Sequence, residues 1–280
     1  MEVTHEAICP DISPVHCEEA GGLPYHTHHQ TMNMTRFNGL VAYGLGKGLL
    51  VKGELPFDHK VLGIEYKDRE GKPYDPPYGG IHHRNETLKG LGDARLHMEY
   101  YDNWGKGWVV GGGIGSTLPT GKTEEDPYEL SEQSLEHQHI QMGSGTLNPL
   151  VKLSGVYSGH QWGMVSTLQA KISLYQNEKS YQPSSSARMT VGPTYRLTSK
   201  WMLVATADLL HESQAYWGDR ADPMSGRTAI FGASSVVYRF NPTVAAMAQG
   251  RLTAAQWSVT DQITQPFVGI LGVTITPQKD

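Results

Sequence analysis

The stretch from Gly92 to Gly121 alternates between two kinds of side chain. From Asp93 to Tyr101 the odd positions are Asp, Arg, His, Glu and Tyr, and the even positions are Ala, Leu, Met and Tyr. After a turn around Gly105, the larger apolar side chains again fall mainly on even positions, from Trp108 to Leu118. Successive side chains of a strand point to opposite faces, so this stretch is predicted to be a hairpin with one apolar face and one charged face.

The same alternation recurs along the chain, with connections that are alternately short and long. Short turns are predicted at 46–48, 103–107, 158–161, 199–200 and 241–243, and long polar segments at 67–90, 119–146, 176–185 and 213–226. This regularity is typical of bacterial outer-membrane barrels. The predicted fold class is all-β: a single antiparallel transmembrane β-barrel of roughly 10–12 strands, with short periplasmic turns and long extracellular loops. The alternation gives eleven strands, and bacterial barrels have an even number, so either residues 1–30 contain a twelfth strand or one of the eleven is wrong.

Composition favours a membrane barrel over a soluble sandwich. Only 38% of the 280 residues are hydrophobic, which is low for a soluble protein of this size that must bury a core. A barrel with apolar side chains outside and polar ones inside needs no such core. No apolar run of about 18 residues is present, so no transmembrane helix is predicted. The net charge of −5 is too small to indicate nucleic acid as a partner.

Residues 1–30 have no strand period and are rich in Pro, Gly, Cys and His. We predict that they form an N-terminal plug or cap segment, and that the barrel comprises residues 31–280. Cys9 and Cys17 are eight positions apart, and in an exported protein this spacing favours a disulfide over a reactive thiol. The residues after Met1 lack the basic and apolar regions of a signal peptide, so we interpret the chain as a mature form.

Four short motifs resemble one family. They are YGLGKGLLV (43–51), GLGDARL (90–96), LPTG (118–121) and GSGTLNP (143–149). Their order is similar to that in the outer-membrane transporter family associated with the meta-pathway of phenol degradation. The resemblance runs from about residue 40 to the C-terminus and leaves out residues 1–35. It implies a β-barrel in the bacterial outer membrane, in contact with lipid, that transports small solutes.

The predicted inward face carries an excess of positive charge. Its cations are Arg36, Lys52, Arg95, Lys152, Lys171, Arg188, Arg196, Arg239 and Arg251, and its acids are Glu54, Asp93, Glu99 and Asp208. Fixed charge along a narrow lumen sets selectivity, so one interpretation is a pore or binding cavity for anionic solutes. The alternative is a narrow barrel filled by its own ion pairs, such as Arg95 with Glu54 or Glu99.

Histidines concentrate in the predicted long loops and just before the first strand. The candidate metal ligands are His26, His28, His29, His82, His83, His137 and His139, and His211 begins a further loop. If the long loops share one rim, these imidazoles converge and could bind zinc or copper, with Met32 and Met34 as additional donors for copper. The alternative is a rim of solvated surface histidines.

The sequence therefore gives one leading functional prediction and two alternatives. The leading prediction is an outer-membrane channel or uptake protein for small solutes, with a His-rich site at the extracellular rim that could bind a metal ion, and with no enzymatic activity. One alternative is a structural or accessory barrel that is plugged by its N-terminus and acts with a partner protein. The other is a hydrolase, because His211 and Ser213 resemble the His-x-Ser arrangement of outer-membrane phospholipase A.

Overall fold

The computed structural model describes residues 2–9, 26–76, 84–259 and 263–277, and only the backbone of residues 2–9, 28, 263 and 264. Seventeen strands and one short helix lie in these ranges. The strands are Glu2–Cys9 (β1), His26–Gly46 (β2), Leu49–Asp68 (β3), Glu86–Leu91 (β4), Ala94–Gly105 (β5), Trp108–Leu118 (β6), Pro149–Ser158 (β7), Trp162–Lys171 (β8), Tyr181–Gln182 (β9), Ser186–Arg196 (β10), Trp201–Glu212 (β11), Tyr216–Trp217 (β12), Arg220–Ala221 (β13), Arg227–Arg239 (β14), Val244–Ser258 (β15), Ile263–Thr264 (β16) and Phe267–Ile275 (β17). The helix is Pro127–Glu132 (α1).

One antiparallel sheet contains nearly all of these strands. Its order is β16-β1-β2-β3-β5-β6-β7-β8-β10-β11-β14-β15-β17, with β4 paired beside β3. Only Gln265 and Pro266 separate β16 from β17, so these two form one interrupted strand and the described residues supply twelve strands to the wall. The predicted barrel of about 12 strands is confirmed. The short strands β9, β12 and β13 form a separate small sheet in the long connections.

The twelfth strand lies where the sequence pattern gave none. Strand β1 pairs with β2 from Glu2 opposite Asn33 to Cys9 opposite His26. The predicted boundary at residue 30 therefore differs from the structure, because residues 2–9 and 26–30 belong to the sheet. Too few alternating positions are present in EVTHEAIC for its strand period to stand out. The part of the predicted plug that is not in the sheet, residues 10–25, lies outside the described residues.

Strand β1 also joins the two ends of the sheet. It pairs with β2 on one side and with β16 on the other, where Thr4 lies opposite Thr264 and His5 opposite Ile263. The last strand in turn pairs with β15 through β17. Within the described residues, β2 beyond Asn33 pairs only with β3, and β17 pairs only with β15.

The predicted alternation of short and long connections is confirmed. Tight turns join β2 to β3, β5 to β6, β7 to β8, β10 to β11, and β14 to β15, and the end of β17 lies at the same rim. Lys47 and Lys106 have φ angles of 49° and 51° in two of these turns, each between glycines that also have positive φ. Such angles match the twist of paired strands and allow two-residue connections. The described parts of the long connections lie at the opposite rim.

The outer face of the sheet is apolar. Met98 lies opposite Ile114, Ile114 opposite Val151, and Val151 opposite Ala170, so a band of apolar side chains runs around the wall. Ile114 is 68% exposed and Leu252 is 61% exposed. A soluble monomer rarely exposes so large an apolar surface, whereas a membrane barrel faces lipid with it.

An aromatic belt follows the short-turn rim. Its cross-strand ring pairs are Trp108–Tyr157, Trp162–Tyr195 and Trp201–Tyr238, with centroid separations of 5.2, 4.6 and 4.5 Å. Aromatic girdles of this kind occur where a barrel meets the membrane interface, because the rings have both an apolar body and a polar edge. The belt therefore places one membrane boundary at this rim.

Two strands are longer than a membrane requires. Strands β2 and β3 contain 21 and 20 residues, while a tilted transmembrane strand needs only about 9–11. The aromatic belt marks the membrane boundary at the short-turn rim, where β2 is joined to β3. The opposite ends of these two strands, near His26 and Asp68, therefore project beyond the membrane on the long-loop side. None of the helices in the described ranges is long and apolar enough to cross a membrane.

Candidate functional site: a charged lumen beneath an inward-folded loop

The predicted lumen charges share the inner face of the sheet. Residues opposite one another on paired strands lie on the same face. Glu99 is opposite Gly113, Gly113 opposite Lys152, Lys152 opposite Gln169, and Gln169 opposite Arg188. The same register includes the remaining strand members of the predicted set, namely Arg36, Lys52, Glu54, Arg95, Lys171, Arg196, Asp208, Arg239 and Arg251.

Three pairs of these charges lie close together. Arg36 donates from Nε and Nη2 to the two carboxylate oxygens of Asp58 at 2.6 and 2.7 Å. Arg95 Nη1 is 3.8 Å from Glu54 Oε1, and Arg251 Nη1 is 3.9 Å from the carboxylate of Asp208. The first pair is bidentate, while the other two are looser ion pairs that exceed the hydrogen-bond range of about 2.7–3.2 Å.

A tighter cluster forms around Glu99, which is almost fully buried. Lys152 Nζ donates to both oxygens of Glu99 at 3.1 and 3.0 Å, and the Tyr101 hydroxyl donates to Oε2 at 2.7 Å. The facing residues on β6 are glycines. A Cβ at Gly113 would lie 2.7 Å from Glu99 Cγ, and one at Gly111 would lie 2.8 Å from Tyr101 Cγ. These glycines therefore make room for the cluster against the wall.

Four lumen cations have no ion pair within the described residues: Lys52, Lys171, Arg188 and Arg239. Arg196 also lacks one there, and donates instead to the main-chain oxygen of His160 at 3.2 Å. Arg196 and Arg239 are exposed near the short-turn rim. The excess of positive charge predicted for the lumen is thus carried mainly by side chains that form no ion pair with a described carboxylate.

The connection between β6 and β7 folds over the long-loop end of the lumen. Lys60, which is on the inner face of β3, donates from Nζ to the main-chain oxygen of Gln141 at 3.0 Å. On the other side, Lys179 donates to the main-chain oxygen of Thr123 at 3.0 Å and lies 2.7 Å from a carboxylate oxygen of Glu125. The connection is therefore held from two parts of the barrel.

Helix α1 within this connection is fixed by a buried phenol. The Tyr128 hydroxyl donates to Asp222 Oδ1 at 3.1 Å, and the Arg220 guanidinium lies 3.9 Å from the centre of the Tyr128 ring. Burial raises the pKa of the Asp222 carboxyl, although hydrogen bonds from Met224 and Tyr128 act in the opposite direction. Burial, together with the nearby charge of Asp222, also raises the pKa of the Tyr128 phenol.

Three of the four sequence motifs meet where this connection enters the lumen. Asp93 accepts hydrogen bonds from the main-chain nitrogen and the hydroxyl of Ser144 at 2.7 and 2.5 Å, and from the main-chain nitrogen of Gly121 at 3.2 Å. A Cβ at Gly121 would lie 2.6 Å from the Cα of Gly143, so the two backbones touch. The motifs containing residues 93, 121 and 143–144 therefore form one junction.

A cavity of about 200 Å³ lies next to this junction. Side chains of the wall and of the covering connection line it together, including Arg36, Arg95, Thr117, Gln141, Asn148, Lys171 and Tyr181. Three of these residues are cations, and the one carboxylate of the lining is that of Asp93.

The candidate metal ligands occupy two places on the long-loop side. His26 is buried on β2 with its ring 5.0 Å from that of Tyr74, and His29 lies opposite Glu65. The rings of His137 and His139 are 5.4 Å apart. The side chain of His28, and His82 and His83 entirely, lie outside the described residues. Among the side chains that are described, no three of His, Cys, Asp or Glu are close enough to hold a metal ion.

The other two sequence predictions concern Cys9 with Cys17 and the His-x-Ser pair. Cys9 ends β1, but Cys17 lies outside the described residues, so the disulfide stays a prediction. His211 Nδ1 lies 2.9 Å from the Thr228 hydroxyl. Ser213 Oγ donates to the main-chain oxygen of Gln214 and accepts from the main-chain nitrogen of Ser185. The hydroxyl therefore has backbone partners.

Sequence reasoning missed several residues of the site. Asp58 and Lys60 have the parity of Lys52 and Glu54, and extending the third predicted strand beyond Phe57 would have found them. No local pattern marks Gln141 or the Tyr128–Asp222 contact, because these side chains belong to long connections whose path depends on the whole barrel.

Comparison with known proteins shows the fold. No protein-family model matches the chain, and no curated protein matches its sequence. The crystal structure of an outer membrane channel from Pseudomonas putida F1 matches with a TM-score of 0.60 and 11% identity, over 98% of this chain and 93% of that one. The NanC porin matches with a TM-score of 0.47 and 10% identity, over 99% of both chains. OmpT, an outer membrane protein of Vibrio cholerae, matches with a TM-score of 0.40 and 12% identity, over 98% of this chain and 94% of that one.

The fold is that of an outer-membrane β-barrel. Only helices and closed barrels span membranes, because every backbone polar group in lipid needs a partner. With its apolar outer face and aromatic belt, the chain is a protein of the bacterial outer membrane.

Proposed function

We propose that this barrel is a passive channel or uptake protein for small solutes, with a preference for anions. The single observation that carries the proposal is the set of lumen cations without an ion pair in the described residues, namely Lys52, Lys171, Arg188 and Arg239. Fixed positive charge in a narrow lumen raises the local concentration of anions and repels cations. The ion pairs that do form, such as Glu99–Lys152, leave this excess in place.

Measurement of ion selectivity tests the proposal. In planar bilayers under a chloride salt gradient, we expect the reversal potential to be shifted toward the equilibrium potential of chloride. This shift corresponds to an anion-to-cation permeability ratio above one. Three lumen substitutions together, Lys52→Gln, Lys171→Gln and Arg188→Gln, should lower this ratio. A matched control removes three lysines from the short turns by Lys47→Asn, Lys106→Asn and Lys200→Gln, and it should lower the ratio less. A cation-selective wild-type channel contradicts the proposal.

The alternative is an accessory barrel plugged by its N-terminal segment and acting with a partner protein. Because residues 2–9 and 26–30 are strands of the wall, the plug would consist of residues 10–25 alone. Replacing residues 10–25 by a short Gly-Ser linker separates the two functions. An inactive wild type whose channels open after this replacement supports the plug. Equal conductance before and after it supports an open channel.

A metal site on the extracellular rim is a second, additional proposal. The observation that favours it is the close approach of His137 and His139 in the connection that covers the lumen. A third and fourth ligand would come from His82 and His83, and the ion would be zinc or copper. Metal analysis of untagged protein after dialysis at pH 7.5 should find near-stoichiometric metal, and His137→Ala with His139→Ala should remove it. Retention of metal by that double variant contradicts the assignment.

The link to the family associated with the meta-pathway of phenol degradation is likewise a proposal. It rests on four short motifs, of which three meet at Asp93. Growth of a deletion strain on phenol as sole carbon source tests it, because a required uptake barrel would slow growth at low phenol concentration. Unchanged growth in that assay removes the link without affecting the channel.

A further inference from the structure

The cavity beside Asp93 has the features of a binding site as well as those of a passage. It lies between the barrel wall on one side and the β6–β7 connection on the other. Its volume of about 200 Å³ is below the range of roughly 300–1,000 Å³ that drug-sized ligands need. A ligand here would be a small molecule.

Two cations of the cavity are free to bind an anion. Lys171 has no ion pair in the described part of the chain. Arg95 is 43% exposed, and its ion pair with Glu54 is 3.8 Å long, which leaves its N–H groups able to donate to a ligand. Arg36 differs, since its charge is paired with the carboxylate of Asp58 through Nε and Nη2. The positive charge available to a ligand is therefore that of Arg95 and Lys171.

The carboxylate of Asp93 limits the charge of that anion. Its two oxygens accept hydrogen bonds from Ser144 and Gly121, which hold it as part of the wall but leave its negative charge in place. Arg95 and Lys171 are balanced by Asp93 and by Glu54, which lies 3.8 Å from Arg95, so the site has little net charge before a ligand binds. This balance suits a monoanion and disfavours a phosphate, which carries more than one negative charge near pH 7.

Gln141 supplies a hydrogen-bond donor that the fold does not use. Its Oε1 accepts from the main-chain nitrogen of Glu124 at 2.8 Å, and its main-chain oxygen accepts from Lys60. The first bond fixes the orientation of the side-chain amide, and the second holds the main chain of Gln141. Its Nε2 is buried without a hydrogen-bond partner among the described atoms. A buried donor of this kind is costly unless something pairs with it.

We propose that this cavity binds small organic carboxylates that carry a second oxygen, such as hydroxy acids. Arg95 and Lys171 hold the carboxylate, and Gln141 Nε2 donates to the hydroxyl. Met142, Pro56 and Pro183 provide an apolar wall for the carbon skeleton. This inference rests on the proposed anion channel and adds a saturable site within it.

The test uses full-length protein in planar bilayers carrying a chloride current. Lactate, propionate and inorganic phosphate are added in turn, and the concentration that blocks half of the current is measured for each. We expect saturable block by lactate, weaker block by propionate, which lacks the hydroxyl, and the weakest block by phosphate.

Variants identify the residues. Lys171→Met and Arg95→Gln should each raise the half-blocking concentration of lactate about tenfold or more, because each removes a charge-assisted hydrogen bond. Gln141→Ala should weaken the block by lactate but leave that by propionate unchanged. The control Lys106→Asn, in a short turn, should leave both unchanged. Heat-modifiable gel migration verifies that each variant folds.

The outcomes separate this inference from the channel itself. An anion-selective current that lactate does not block in a saturable way refutes the site and leaves the channel function standing. A cation-selective current refutes both. Stronger block by phosphate than by lactate refutes the choice of carboxylates, and an unchanged lactate block in Gln141→Ala refutes the role of the amide.

Discussion

The buried pair Glu99–Lys152 allows the clearest quantitative prediction. Lys152 Nζ lies within 3.1 Å of both Glu99 oxygens, and the two side chains are 15% and 3% exposed. Replacing Lys152 by Met leaves the Glu99 carboxylate without its cation. Removing one partner of a buried pair costs about 3–5 kcal/mol, because the remaining charge is uncompensated. The Tyr101 hydroxyl still donates to Glu99 at 2.7 Å, so we expect the lower end, about 3 kcal/mol.

Equilibrium unfolding in urea measures this free energy. The protein is refolded into lipid vesicles, and unfolding is followed by tryptophan fluorescence and by gel migration. Adding Glu99→Gln to Lys152→Met removes the stranded charge. The double variant should therefore be more stable than Lys152→Met alone, with a coupling energy of about 2 kcal/mol. Lys200→Met, in an exposed turn, is the control and should change stability by less than about 0.5 kcal/mol.

Two results would refute this reasoning. A cost below about 0.5 kcal/mol for Lys152→Met would mean that lumen water solvates Glu99 and that the pair is not desolvated. Purely additive effects of the two substitutions would mean that the contact contributes no coupling.

Three further predictions concern the loop, the belt and the hydrolase alternative. Because burial raises the pKa of Asp222, burial of this carboxyl beneath helix α1 is favoured while the carboxyl is protonated, below about 3.9, and becomes less favourable as the pH rises through the raised pKa. After correction for the intrinsic pH dependence of amide exchange, residues 127–132 should therefore be less protected at pH 7 than at pH 4, and Asp222→Asn should remove the difference in protection. Trp162→Ala should cost about 1 kcal/mol in the same urea assay, since its ring packs 4.6 Å from that of Tyr195, and a neutral result would mean that the belt does not anchor the barrel. Purified protein should hydrolyse phospholipid no faster than Ser213→Ala, because Ser213 is hydrogen-bonded to backbone, and activity lost only in that variant would restore the hydrolase.

The alternating sequence determined the architecture almost unaided. A side-chain period of two fixes which residues share a face, so the apolar outer band and the charged inner face follow from counting. The glycine and lysine turns fix where strands reverse, and the alternation of short and long connections assigns the rims. The Arg95–Glu54 pair could be named in advance, because both residues lie on the inner face of adjacent predicted strands.

Only the tertiary structure decided what covers the lumen and which charges remain free. Strand β1 is too short for its period to be recognised, and it acquires its role through partners 17 to 31 residues away in β2 and 258 to 260 residues away in β16. Asp93 meets Ser144, and Tyr128 meets Asp222, across connections whose polar sequences carry no period. Such contacts depend on the three-dimensional path of each loop over the closed wall. The pairing of each lumen cation, and hence the site proposed for carboxylates, becomes visible only when that path is known.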